Sequence, residues 1–385
     1  MFLGSTLEPL QRWAPSDHGD NYWLDIISTI ADKVDVVVAP IVGTPSKRCP
    51  LPMVAALPSN IERWGNLAWK LESNYVIKNI LFTRAYRWIE RTAKDLRIDQ
   101  IHFIENYGPI QKALSRINVA KSITQTHYDP RYPFYDAILR TSLEPFDAIV
   151  TGSQHLALRL RERCTTKVIR SIPWAVSFDR LNNEPTNGKA NSKARFGLKA
   201  DSKVVLWSGF ISVAAEEREL NLCLKLAKQL VGEIRNLEFV FAFKRHWNNL
   251  ARAKYKQLEG PGIHIMPLQS RAEFLELVRA SDLLFSPCLN KEAIIGVPLT
   301  WLECMALGVP IVTTNVPALD EVISNNRNGI LLSDLKQAPE VLCQLLHDPA
   351  DIERLSIGAR NTIRSKFGIE RAADAYLSLW SSIVR

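Results

Sequence analysis

Residues 295–323 read IGVPLTWLECMALGVPIVTTNVPALDEVI, and their types and spacing suit the binding of an anion. Leu299 to Leu307 reads as a short helix opened by Pro298, whose fixed φ and missing N–H fit a first helical turn. Gly308 is its natural stop. The following run, Val309-Pro310-Ile311-Val312-Thr313-Thr314, is too apolar and β-branched for a surface loop and reads as a buried parallel strand. A helix entered through Gly296-Val297-Pro298 leaves its first N–H groups unpaired and carries partial positive charge at that end, which makes a phosphate site. Glu303 is close enough to that end to meet the group attached to a bound phosphate, such as a ribose. The same residues also fit an ordinary α/β crossover with a solvated Glu303, and this stretch alone does not separate the two.

The elements that must position this helix alternate along the whole chain. Apolar β runs are expected at 34–38, 101–104, 122–126, 148–150 and 168–172, and again at 204–207, 239–243, 263–265, 283–285 and 310–313. Amphipathic helices fall between them, which implies parallel sheets covered on both faces. Between the halves, LNNEPTNGKANSKARFGLKADS (181–202) is rich in Asn, Gly, Lys and Ser and reads as a domain boundary. Ligands of doubly wound sheets bind at the carboxyl ends of strands, so a cleft between two such domains is the expected active site.

At 385 residues the chain is long enough for two domains. Its 46% hydrophobic and 23% charged content is that of a globular protein, with no apolar run of membrane-spanning length. The start, MFLGSTLEPL, lacks the basic segment and apolar core of a secretory signal, so a cytoplasmic location is expected. The six cysteines, at 49, 164, 223, 288, 304 and 343, have neither metal-ligand spacing nor a disulfide framework, and are expected as buried thiols. A net charge of +8 invites an anionic partner, whether nucleic acid, a membrane surface or a phosphorylated ligand. No G-x-G-x-x-G follows a strand and no P-loop or H-E-x-x-H occurs, which argues against a dinucleotide oxidoreductase, a P-loop kinase and a metal site. Nucleic-acid binding has only the charge behind it, with no readout motif.

In order along the second half, LNLCLKLAKQL, LEFVFAFK, GIHIMPLQSRAEFLELVRASDLLFSP and the 295–323 stretch resemble the nucleotide-sugar-binding half of glycosyltransferase family 4. In the first half, EPFDAIVTGSQHLALRLRER followed by KVIRSIPWAVSFDRL looks like the end of that family's acceptor domain, and KSITQTHYDP resembles the strand that places a histidine at the cleft. The resemblance implies an α/β GT-B architecture of two doubly wound Rossmann-like domains facing across a cleft. Residues 1–180 would be the acceptor side, 181–202 a linker, 203–370 the nucleotide-sugar side, and 371–385 a C-terminal helix packing back on the first domain. It further implies a retaining transfer, with no cofactor or metal, from a nucleotide sugar such as a UDP- or GDP-sugar to a hydroxyl of a glycan or lipid-linked acceptor.

The family's Glu-x7-Glu motif carries over residue by residue. Glu303 matches the second glutamate, which binds the donor ribose, and Leu299 and Thr300 match the amide donors to its diphosphate. The first glutamate falls on Ile295, so that carboxylate is absent; Glu292, just upstream, would replace it only if the loop shifts by almost a turn. In SGFISVAAEEREL, Gly209 lies on the first strand-loop of the second domain, Phe210 stands where the family has an arginine, and Arg218 is the nearest match to its lysine. Lys244 and Arg245 would supply replacement cations or be solvated. His127 and Asp129, in TQTHYDP, would face the acceptor or the transferred sugar, though a histidine after a strand is as often structural. Gly19, beside His18, falls where the family has a Gly-rich loop. His102, His155, His246, His264 and His347 have no such context and are read as structural. The departures at Ile295 and Phe210 also fit a non-catalytic protein of the same fold.

Residues 63–97, RWGNLAWKLESNYVIKNILFTRAYRWIERTAKDLR, are helical in character and basic. Ile77, Leu81, Ala85, Trp88 and Thr92 form one stripe, and Arg84, Arg87, Arg91 and Lys94 another roughly 100° away. Such a helix suits an anionic membrane surface, peripheral on the inner face. It equally suits packing on its own sheet with a solvated basic edge.

Overall fold

The computed structural model describes residues 2–4, 22–36, 38–40, 88–104, 117–125, 127–128, 135–164, 168–183, 188–209, 214–243, 255–268, 270–289 and 294–384. The chain divides into two compact units. The first comprises Met1–Trp174, Glu292–Gly296 and Ile369–Arg385, and the second Ala175–Lys291 and Val297–Gly368.

The first unit is built on a parallel sheet of β1 (Phe2–Gly4), β2 (Val38–Pro40), β3 (Gln100–Ile104), β4 (Ala120–Gln125), β6 (Ala148–Thr151) and β7 (Val168–Ser171), in the order β2-β1-β3-β4-β6-β7. Between β4 and β6 in the chain comes β5 (His127–Tyr128), which stands outside this sheet. Five of the six residues of β4 are buried, as a strand covered on both faces requires. Helices α1 (Tyr22–Ala31), α2 (Tyr135–Leu143) and α3 (Gln154–Arg161) belong to this unit. Ser153 caps α3, its hydroxyl accepting the Leu156 N–H at 3.2 Å. On the sheet, Phe103 and Phe146 meet edge to face at 5.3 Å.

The second unit carries β8 (Lys203–Gly209), β9 (Leu237–Phe243), β10 (Ile263–Pro267), β11 (Leu283–Phe285), β13 (Ile311–Thr314) and β14 (Gly329–Leu332), all parallel, in the order β10-β9-β8-β11-β13-β14. Numbered within the unit this is 3-2-1-4-5-6, the Rossmann order, whose switch point lies between β8 and β11. All seven residues of β9 are buried, and Phe239, Phe241 and Phe243 pack with Trp207 in the core under the helices. The unit's helices are α4 (Phe178–Asn183), α5 (Lys189–Arg195), α6 (Ala214–Glu233), α7 (Arg271–Ala280), α8 (Leu299–Ala306), α9 (Ala338–His347) and α10 (Pro349–Lys366). The C-terminal α11 (Ile369–Ile383) belongs to the first unit.

Both sheets use the same device at the entry to a central strand. Asp147 donates its N–H to Lys121 O at 2.7 Å, and its carboxylate accepts the Lys121 N–H at 2.8 Å. Asp282 does the same with Val204, at 2.8 and 2.7 Å, and also accepts from Lys189 Nζ at 2.6 Å.

The structure corrects three expectations from the sequence. The strand expected at 34–38 is displaced to Val38–Pro40: the turn after α1 runs on through Val34, whose N–H returns to Ile30 O at 3.1 Å and which is exposed. Residues 181–202 lie within the second unit and hold the end of α4 and all of α5. Composition misleads there because polar residues do the packing. Ser192 is buried against Glu276 Oε1 at 2.6 Å, and Lys193, buried, donates to Ser202 O at 2.5 Å. Burial lowers the Lys193 pKa. Of the cysteines, Cys164, Cys223 and Cys304 are buried, but Cys288 and Cys343 are partly exposed; Cys49 lies outside the described residues.

Candidate donor site

The site is built at the carboxyl ends of β8, β11 and β13. Two threonines on β13 knit that edge together. Thr313 Oγ1 donates to Ser286 O at 2.7 Å. Thr314 Oγ1 donates to Cys288 O at 2.6 Å and accepts the Cys288 N–H at 2.9 Å. Ser286 is tied from the helix side as well, since Trp301 Nε1 donates to its hydroxyl at 3.2 Å. The segment leaving β11 is thus held before the chain enters α8.

Pro298 is the N-cap of α8, with φ −58° and ψ 132° and no side-chain capping bond, one position earlier than its expected place inside the first turn. Trp301 N–H returns to Pro298 O at 2.9 Å. The Leu299 and Thr300 amides have no acceptor among the described residues, and both residues are half-buried. Unpaired amides with the positive end of the helix dipole are what an anion seeks. From Trp301 to Ala306 every residue of α8 is buried, so the helix is fixed by burial all round and packs on α10. It stops at Gly308, whose φ of +81° belongs to the left-handed region. The Arg360 guanidinium occupies the space a Cβ would need there.

Glu303 is 2% exposed. A carboxylate so buried must be paired or it is very costly. The partner is Arg271, whose Nε donates to Glu303 Oε1 at 2.6 Å. Arg271 is the first residue of α7, after the Ser270 N-cap whose hydroxyl accepts the Glu273 N–H at 3.1 Å. Sequence reasoning passed over it. The available signal was a cation directly behind an S-x-x-E cap, at the helix end that disfavours cations.

Gly209 ends β8, and a Cβ there would run into the Trp207 indole at 2.6 Å. Arg218 lies on α6 and is exposed. The backbone of β5 pairs antiparallel with β12 (Ile294–Ile295), with His127 opposite Ile295 and Tyr128 opposite Ile294. The histidine position and the position where the first motif glutamate falls are therefore brought face to face within the first unit. Gly19, Asp129, Phe210, Lys244, Arg245 and Glu292 lie outside the described residues.

His102 is buried between Ser122 Oγ at 2.8 Å from Nδ1 and Thr124 Oγ1 at 3.0 Å from Nε2, with Tyr376 and Trp380 of α11 against its ring. Burial lowers its pKa to about 3. A neutral imidazole with both nitrogens engaged fits the structural role read from sequence.

A cavity of about 480 Å³ opens at the other edge of the second sheet, lined by Lys189, Lys203, Arg279 and Arg360 among others. Three of those cations are already committed: Lys189 to Asp282, Arg279 to Leu181 O at 3.0 Å, and Arg360 to Leu307 O at 3.4 Å. The C-terminal ends of α7, α8 and α9 and the N-terminal ends of α5 and α10 all line it, so helix ends of both signs meet there, unlike at the α8 amides. Among the described residues no cluster of side chains could hold a metal ion, and no helix is long and apolar enough to cross a membrane.

Residues 202–348 match the family model of Glycosyl transferases group 1. Spore coat protein SA of Bacillus subtilis is 24% identical over 307 residues, covering 74% of this chain and 79% of its own. The glycosyltransferase from Rickettsia africae superposes with a TM-score of 0.73 at 14% identity, covering 100% of this chain and 98% of its own. Anabaena HepE in complex with UDP gives 0.71 at 14% identity, covering 99% of each chain. With its two Rossmann-like units the chain has the GT-B fold, and its second unit, over the second sheet and α8, carries the match to Glycosyl transferases group 1.

Proposed function

We propose that the chain is a retaining glycosyltransferase of family 4 that moves a sugar from a nucleoside-diphosphate donor to a hydroxyl of a glycan or lipid-linked acceptor, in cell-surface polysaccharide or glycolipid synthesis. The observation that carries this reading is α8: two amides, at Leu299 and Thr300, with no acceptor among the described residues, and a buried acid, Glu303, on the same helix at the carboxyl edge of a Rossmann sheet. The amides take the donor diphosphate and Glu303 the ribose. As the sugar leaves, charge grows on the diphosphate oxygen, and fixed dipoles that need no reorganisation stabilise it. Arg218, Lys244 and Arg245 add cations to that end, with Gly209 and Gly19 giving the phosphates and sugar close backbone approach. His127, Asp129 and Glu292 hold the acceptor and the transferred sugar. UDP, bound by the HepE structure, is the first donor base to try.

Thermal shifts with UDP, GDP, ADP and CMP on the protein and on Glu303→Ala test this. Stabilisation by one base that disappears in the variant is expected. A variant stabilised as fully as the parent removes Glu303 from the site.

Ile295, standing where the first motif acid falls, favours a second reading, a GT-B protein that binds a donor without turning it over. Release of nucleoside diphosphate from the bound sugar nucleotide, with an acceptor panel, decides between them: sustained release excludes the second reading.

We further propose a peripheral site on the inner face of the membrane, through residues 63–97. Of these, 63–87 lie outside the described residues. Residues 88–95 form a helix buried through Ile89 and Ala93, with Arg91 and Lys94 exposed. Binding to phosphatidylserine or phosphatidylglycerol vesicles at low salt, lost at high salt, is expected. No binding at low salt ends this reading.

A further inference from the structure

Arg271 breaks a local rule. It stands at the first position of α7, where the dipole favours an acid and opposes a cation. Its side chain is only 13% exposed, so water does little to relieve the conflict. A rule broken in a buried place points to a demand from elsewhere. The demand visible here is Glu303, 32 positions along the chain.

The form of the pairing matters. Arginine and carboxylate commonly meet as two parallel bonds, which satisfy both oxygens. Here Arg271 Nε donates to Oε1, while Oε2 accepts no hydrogen bond from the described residues and is not sealed among the buried orphan atoms. A purely structural pair gains from using both oxygens. A carboxylate that must also accept from a diol has to keep one back, and has to be held by the other so that the free oxygen points one way.

Resting on the reading of Glu303 as the ribose acid, we propose that Arg271 is the positioning residue of the donor site: it anchors Oε1 so that Oε2 is presented to the ribose hydroxyls of a nucleoside diphosphate. Its contribution is then specific to ligands that carry those hydroxyls and acts only through Glu303.

The test is calorimetric titration with UDP and with 2′,3′-dideoxy-UDP, or with the GDP or ADP pair if that base binds more tightly. The proteins are the parent, Arg271→Met, Arg271→Lys, Glu303→Gln and the double variant Arg271→Met/Glu303→Gln. The parent is expected to prefer the ribose form by about tenfold or more, the size of one good hydrogen bond to a charged group. Arg271→Met should lower that preference to within about threefold while leaving affinity for the dideoxy form within about threefold. Arg271→Lys, which keeps the charge but not the planar fork, should fall between. In the Glu303→Gln background, Arg271→Met should change nothing further.

If Arg271→Met lowers the melting temperature but keeps the full ribose preference, Arg271 is structural and the proposal is overturned. Should the single variant fail to fold because an acid is left buried alone, the comparison of Glu303→Gln with the double variant decides: a further loss of affinity for both ligands overturns the proposal, and equal affinities support it. A parent that binds both ligands equally, or no nucleoside diphosphate at all, refutes the reading of Glu303 itself, and the proposal with it.

Discussion

Replacing Gly308 by alanine tests how α8 is held, and the cost can be worked from its surroundings. Alanine in the left-handed region costs about 1–2 kcal/mol relative to glycine. The new methyl would also fall inside the Arg360 guanidinium, which must move and give up its bond to Leu307 O, a loss of about 1 kcal/mol. The Ser356 hydroxyl, which donates to Gly308 O, limits how far the backbone can turn in response. The sum is about 2–3 kcal/mol. For a unit of this size each kcal/mol lowers the melting temperature by about 2–4 °C, so calorimetry should show a drop of about 4–12 °C. Arg360→Ala and the double variant complete a cycle. Once the guanidinium is gone the methyl has room, and Gly308→Ala should then cost only the backbone part. A shift under about 2 °C, or the same cost in both backgrounds, would refute the reasoning.

The remaining predictions concern charge and the β11–β13 edge. The folded pKa of His102, about 3, lies below its ordinary 6.5, so the unfolded chain takes up the proton first as pH falls below 6.5. The stabilising contribution is therefore complete above pH 6.5 and is lost toward pH 3, at up to about 1.4 kcal/mol per pH unit. Urea midpoints measured across that range should fall more steeply for the parent than for His102→Gln, and parallel curves would show that the imidazole is not what titrates. Thr314→Val keeps the shape but removes both bonds to Cys288, and should cost about 1–3 kcal/mol and weaken nucleotide binding. Melting curves with and without UDP check both, and an unchanged affinity would mean the tie does not serve the site.

What was legible in the sequence was what burial on both faces writes there. The runs at 101–104, 148–150, 239–243 and 283–285 read as strands because a central parallel strand admits little but apolar residues, and each of them lies within a strand of the structure. The helix of Glu303 was legible because proline and glycine mark its two ends. Three-residue β1 and two-residue β5 and β12 are too short to show a period. Gly329–Leu332 was missed because a four-residue GILL after a polar turn resembles any apolar patch. Arg271 was invisible for a different reason. Its meaning lies in a bond across 32 positions, and local propensity read at position 271 argues for an acid.

The paired aspartates have a consequence for how the molecule opens. Each carboxylate holds a single amide, Lys121 in one sheet and Val204 in the other, at the entry of a central strand. Exchange of these two protons with solvent requires the strand ends to separate, and each reports on its own unit alone. Followed by mass spectrometry on peptides that contain them, Lys121 and Val204 act as two clocks in one chain. Equal rates would mean that the sheets open in one event, and unequal rates would identify the half that opens first.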